Sequence, residues 1–166
     1  MRIKFILIIT LLILILGACS NSDLDEINLY DQTQLLGVWT DTVQLQPRGY
    51  TINSLIIREN MTFNERSAQY GTNSSRPVNE LSAYTEHSGN FVLSDKKNIR
   101  FVSKQRVDWN SITASNPVTT IVDEGIFESC TFKVSADSLM LTYITYPNDA
   151  PTTTIRKYVR SKTIVE

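Results

Sequence analysis

Residues 51–70 read TINSLIIRENMTFNERSAQY, and they set the architecture. Residues 51–59 carry Ile52, Leu55, Ile56 and Ile57, and residues 61–70 carry Met61 and Phe63 on the same face as Glu65, Ser67 and Gln69. Side chains two apart share a face of a strand, whereas a helix repeats every 3.6 residues. Glu59-Asn60 between the two runs is a short polar break, so the segment reads as a β-hairpin.

The same pattern extends in both directions. From Val38 onward Thr, Val, Ile, Tyr and Phe occur in short runs broken by Asn, Gly, Asp, Ser and Pro. This spacing predicts eight strands, at about 38–46, 51–59, 61–70, 81–94, 98–108, 117–134, 138–147 and 152–161. Gly89 and Gly125 mark expected bends in the two long runs. Residues 31–36 (DQTQLL) predict one or two helical turns, with Asp31 as cap and Gly37 just past the end.

The connections alternate in length. Residues 59–60, 95–98 and 135–137 are tight turns, while 46–50, 71–80, 109–117 and 147–151 are longer and richer in Pro, Asn and Ser. In an up-and-down antiparallel array alternate turns lie at one end, so the tight turns form a base and the loops a mouth. Ile99 and Phe101 are expected to share a face with Ser103 and Gln105, and Leu139 and Leu141 also cluster beside a tight turn. The expected fold is all-β: an eight-stranded antiparallel up-and-down β-barrel with an apolar base, a mixed upper interior and a short N-terminal helix closing the base.

Upstream of the barrel, Arg2 and Lys4 precede an apolar run at 5–16 that is interrupted only by Thr10. Leu16-Gly17-Ala18-Cys19 then places small residues before a cysteine. A basic start, a short apolar core and small residues at a cut make a secretory signal, and 12 residues fall short of the roughly 20 that span a bilayer. With Cys19 at the cut, the segment resembles a bacterial lipobox, which implies lipidation of Cys19 and a permanent membrane tether. The expected organisation is a signal peptide at 1–18, an acidic tether at 19–30 and the barrel domain at 31–166. Ser20 after Cys19 points to the outer membrane by analogy with lipoprotein sorting, on either its periplasmic or its surface face.

Gly37-Val38-Trp39 at the start of the first strand, and Tyr158-Val159-Arg160 at the end of the last, resemble the lipocalin pattern. Met61-Thr62-Phe63 and residues 88–93 (SGNFVL) look like the lipocalin-like lipoproteins of Bacteroidota. The resemblance implies that Gly37 and Trp39 plug the base, with Arg160, or Arg156 on the same face, as cation–π partner of the indole. Asp41-Thr42-Val43 and Asp137-Ser138-Leu139 resemble the short O-glycosylation motif of the same bacteria.

Composition and motifs narrow the function. The chain beyond residue 18 keeps 14 of the 16 Lys and Arg residues against 17 acidic ones, a net charge of −3, which argues against nucleic acid as partner. The single histidine, His87, adjoins Glu86 and Ser88, but neighbours on a strand point to opposite faces and do not form a triad. No spaced ligand set for a metal, no phosphate loop and no carboxylate pair is visible, so no enzyme, metal or cofactor is expected. Cys130 reads as a small buried hydrophobe. The expected partners are the membrane through Cys19, a small apolar or amphipathic ligand, and alternatively an envelope protein docking on a barrel with a filled interior. Tyr70, Trp109 and Tyr146 are the expected contact residues at the mouth, since aromatics give large contact area at small entropic cost.

Cys19→Ala is expected to abolish acylation and membrane retention. Labelled fatty acid fed to the host reads this directly, and equal incorporation by mutant and wild type would refute the lipidation.

Overall fold

A computed structural model describes residues 33–72 and 77–162 of the chain. The signal segment, Cys19, the acidic tether and Asp31 lie outside the described residues. Nine strands follow: β1 (Gly37–Gln44), β2 (Tyr50–Ile57), β3 (Thr62–Tyr70), β4 (Leu81–Leu93), β5 (Ile99–Asn110), β6 (Val118–Ile126), β7 (Glu128–Val134), β8 (Ser138–Thr145) and β9 (Thr152–Arg160). All pair antiparallel in one sheet of order β6-β5-β4-β3-β2-β1-β9-β8-β7. Apart from β6 and β7, each strand thus lies beside its neighbour in sequence, and β1 also pairs with β9.

This is an up-and-down half-barrel, not the closed eight-stranded barrel expected from the sequence. The difference arises within 117–134, which was expected as one strand bent at Gly125. Gly125 pairs regularly with Val102, and the chain breaks two residues later. Phe127 and Ser129 adopt φ of 57° and 52°. A left-handed residue cannot continue the pleat. β6 therefore stays on β5 and β7 on β8, leaving β6 and β7 as the two edges of the sheet. Of the helical turns expected at 31–36, Thr33–Leu35 is helical and the residues before it lie outside the described part. The other helical element among the described residues is a 3-10 turn at Pro147–Asp149.

Register shifts re-aim side chains. Between Ser88 and Gly89 the pairing skips a residue of β5, so Ser88 faces Gln105 while Gly89 faces Ser103. A Cβ on Gly89 would lie 2.0 Å from the Val102 carbonyl oxygen, so only glycine fits this bulge. The skip overturns the expected parity in β5. Gln105 turns outward, while Arg106 and Asp108, opposite His87 and Thr85, turn inward. Further register shifts fall between Gln69 and Tyr70, and between Ser103 and Gln105 in the β5–β6 ladder.

The tight turns carry their own hydrogen bonds. The Asp95 carboxylate accepts from the Lys97 and Asn98 backbone N–H groups at 2.7 and 2.8 Å. The Ser135 hydroxyl accepts from the Ser138 N–H at 3.2 Å. At this end sits the apolar layer: Trp39, Leu55, Phe63, Phe91, Phe101, Leu139, Leu141 and Tyr158 are fully buried or nearly so. Phe63 and Phe91 pack on Phe101 with ring centroids 5.1 and 6.2 Å apart.

Trp39 lies under this layer. Its indole N–H donates to the Leu35 carbonyl at 2.8 Å, and the Arg160 guanidinium lies 4.1 Å from the ring centroid. Arg160 also donates to the Leu36, Gln34 and Ala136 carbonyls at 2.7, 2.5 and 2.6 Å. Gly37 has φ +133°, and a Cβ there would meet Arg160 Nη1 at 2.7 Å, so a glycine is needed beside the guanidinium. Arg156 does not share this role; it sits higher on the inner face, beside Glu65.

Trp39→Ala is expected to destabilise the domain by about 3–5 kcal/mol, the range for large buried aromatic truncations. Denaturant unfolding measures this, and a loss below about 1 kcal/mol would contradict the burial described.

Candidate functional site

Above the apolar base the inner face turns polar. On β3 the inward positions run Phe63, Glu65, Ser67 and Gln69 from base to mouth. β9 contributes Arg156 two residues before the buried Tyr158, and β8 contributes Tyr143 two residues after Leu141. The result is a cluster within the curl of the sheet. Arg156 Nη1 lies 3.6 Å from Glu65 Oε1 and 3.4 Å from the Tyr158 hydroxyl. Asn53, also buried, reaches Asp41 at 3.5 Å.

Glu65 is 7% exposed. Burial pushes its carboxyl up from 4.5 to about 7, an effect that the Arg156 charge only partly offsets. Burial likewise raises the Tyr143 and Tyr158 phenols above their ordinary range. Burial pushes the Cys130 thiol up to about 12, which makes it unreactive as a nucleophile.

His87 lies opposite Glu65 on β4. Its Nδ1 is 3.1 Å from Ser103 Oγ and 3.9 Å from Glu124 Oε1. Serine, histidine and glutamate thus meet, but both partners approach the same ring nitrogen, so no relay passes through the imidazole. Ser103 is fully buried, and its hydroxyl donates to the Gln105 carbonyl at 3.1 Å. This is a structural knot rather than a nucleophile. Burial lowers the His87 pKa, with Glu124 opposing. Glu86 and Ser88 lie on the outer face, away from the imidazole.

Nearer the mouth, Asp108 Oδ1 accepts from the Thr85 hydroxyl at 2.8 Å, and Asp108 Oδ2 lies 2.8 Å from Arg106 Nε. Burial works against the Asp108 charge, but these hydrogen bonds hold its pKa below the ordinary value. Beside it opens a cavity of about 340 Å³, lined by Ser67, Gln69, Ala83, Thr85, Asp108, Asn110 and Val118, with Thr113 and Ala114 from the β5–β6 loop. Tyr84 and Trp109 border it.

The expected mouth aromatics occupy three separate environments. Tyr70 stacks on Tyr50 with centroids 5.0 Å apart, and Trp109 stacks on Tyr84 at 5.9 Å. These pairs lie on the outer face, where the Arg66 guanidinium sits 4.3 Å from the Tyr84 centroid. Tyr146 is exposed and bonds the Glu128 side chain on β7, which raises its pKa. Sequence reasoning missed the Glu65–Arg156–Tyr158 cluster. Its signal was the inward parity of Glu65 behind Phe63, and of Arg156 before Tyr158.

Among the described residues no group of three or more His, Cys, Asp or Glu side chains is placed to hold a metal ion. Compared with protein-family models, with curated proteins and with solved structures, the chain matches none.

The Glu65 shift has a consequence for stability. Between pH 4.5 and about 7 the folded chain keeps a proton that the unfolded chain has released. The Glu65 contribution therefore falls as pH rises through that window, by at most about 3 kcal/mol. His87, lowered from 6.5, gives the opposite slope just below that value. The difference between wild type and Glu65→Gln isolates the carboxyl: wild type should lose stability relative to the variant from pH 4.5 to 7. Parallel curves in denaturant unfolding at stepped pH would refute the shift.

Proposed function

We propose that this chain is a lipid-anchored, non-catalytic, lipocalin-like protein of the bacterial cell envelope that binds a small amphipathic ligand at its loop end. The observation that carries this reading is the cavity of about 340 Å³ above the filled base, with a polar wall of Ser67, Gln69, Thr85 and Asp108 and two aromatics at its border. Ligand pockets run from about 300 to 1,000 Å³ and combine apolar surface with a few placed polar groups. The polar wall favours an amphipathic ligand over a purely apolar one. The lipocalin likeness is supported by Gly37 and Trp39 beneath Arg160, and the membrane anchor by the sequence around Cys19. Ser20 after Cys19 supports an outer-membrane location, by analogy with lipoprotein sorting.

A second reading is a protein-interaction module with a filled interior. It draws support from Tyr143, Tyr158, Glu65 and Arg156, which occupy the middle of the sheet, and from the outward Ile112 and Ile121, 73% and 81% exposed. Native mass spectrometry of the protein purified from its own host separates the two. Under the ligand reading a small molecule is retained, and Ala114→Trp weakens its binding about tenfold or more with little change in melting temperature. Retention unaffected by Ala114→Trp would remove the loop-end site.

A further inference from the structure

The sheet has an opening on its side as well as at its mouth. β6 leaves β5 at the Phe101–Ile126 pair. β7 approaches the start of β5 again at the Asn98–Thr131 bridge, where the Phe132 N–H donates to the Lys97 carbonyl at 2.8 Å. Between these two points no ladder joins the strands among the described residues. The window holds a cavity of about 620 Å³, larger than the one at the mouth.

Its floor is core. Ile99, Phe101 and Cys130 line it at 2%, 0% and 4% exposure. Phe127 forms the inner wall, its ring held between Phe101 at 5.6 Å and Tyr143 at 4.7 Å. Phe127 itself is in the left-handed conformation, and Ser129 repeats it. Such residues cost about 1–3 kcal/mol each and gather where ligands bind. A continued ladder would have satisfied the strand edges; here the chain leaves a gap between β5 and β7. The rim carries Arg100 and Glu128. The Glu128 carboxylate is engaged by the Tyr146 hydroxyl, whereas Arg100 is exposed on the outer side of β5.

We infer that this lateral window between β5 and β7 is a second binding site, for a compact apolar molecule with one acidic group set against Arg100. Volume, an apolar floor with aromatic walls and a single available cation define that class. The site is independent of the loop-end cavity, from which it is separated by the inner face of β5 and β6.

The test uses the full-length chain and anilinonaphthalene sulfonate, an apolar ring system with one anionic end. Saturable binding of one probe per chain is expected. In Ser129→Cys, bound probe should slow alkylation of the introduced rim thiol about tenfold, read by peptide mass spectrometry. Arg100→Ala should weaken binding severalfold with an unchanged unfolding midpoint, and Cys130→Phe, which fills the floor, should abolish it. Ala114→Trp should leave probe binding intact, because it closes only the mouth. Should Cys130→Phe not fold, thiol protection and Arg100→Ala still decide. No saturable binding, an unprotected rim thiol at saturating probe, no effect of Arg100→Ala, or loss of the probe in Ala114→Trp would each overturn the proposal.

Discussion

The guanidinium of Arg160 ties together three parts of the chain that are remote in sequence. It covers the Trp39 indole from β9, takes the Gln34 and Leu36 carbonyls at the end of the helical turn, and takes the Ala136 carbonyl in the β7–β8 turn. The last carbonyls of a helical turn lack partners of their own, and a planar fork can satisfy two of them while its face stacks on a ring. Lysine, a point charge on a flexible stem, has no such face. Because Trp39 is directly opposite Arg160 in the β1–β9 ladder, the contact also fixes the register that joins the two halves of the meander. The apolar layer from Leu55 to Tyr158 rests on this closure.

With the base closed, the polar interior is held at a cost. Glu65 and Arg156 face each other at 3.6 Å, too far for a strong charge-assisted hydrogen bond, in surroundings that disfavour the ionised carboxyl. A buried pair of this geometry does little for stability, because desolvation offsets the Coulombic gain. The same holds for His87, which is kept toward its neutral form beside Ser103. This row of buried polar groups separates the oily base from the open mouth.

The hairpin at 51–70 was legible because its alternation is strict: inward Thr51, Asn53, Leu55 and Ile57 are buried and their neighbours are half-buried. The outline of the chain followed from such runs, and Gly89 marked a real bulge because only glycine tolerates the approach of the Val102 carbonyl. The ninth strand was not legible. Phe127-Glu128-Ser129 contains no Gly, Asn or Pro, so nothing local announces a break. The break coincides with the packing of the Phe127 ring against Phe101 of β5 and Tyr143 of β8, contacts that sequence spacing does not encode. The inward turn of Arg106 and Asp108 was hidden for a related reason. A one-residue skip in register reverses every side chain beyond it, and the skip is set by the partner strand. At the site, the parity of Glu65 and of Arg156 was readable strand by strand, but their meeting depends on the curl of the whole sheet.

An incomplete sheet carries a risk that a closed barrel avoids, since its two edge strands can pair with another chain. β7 answers it by shortness and irregularity: seven residues, a register shift between Glu128 and Thr131, and outward Lys133. β6 answers it with charge, through Asp123, paired to Lys104 at 2.6 Å, and Glu124. It nonetheless leaves Val118 and Ile121 58% and 81% exposed. A straight strand through Phe127 would pair β5 on one side and β8 on the other and leave no edge. That the chain instead holds two non-glycine residues in the left-handed region, and protects the edges this creates, is consistent with an opening that is itself used.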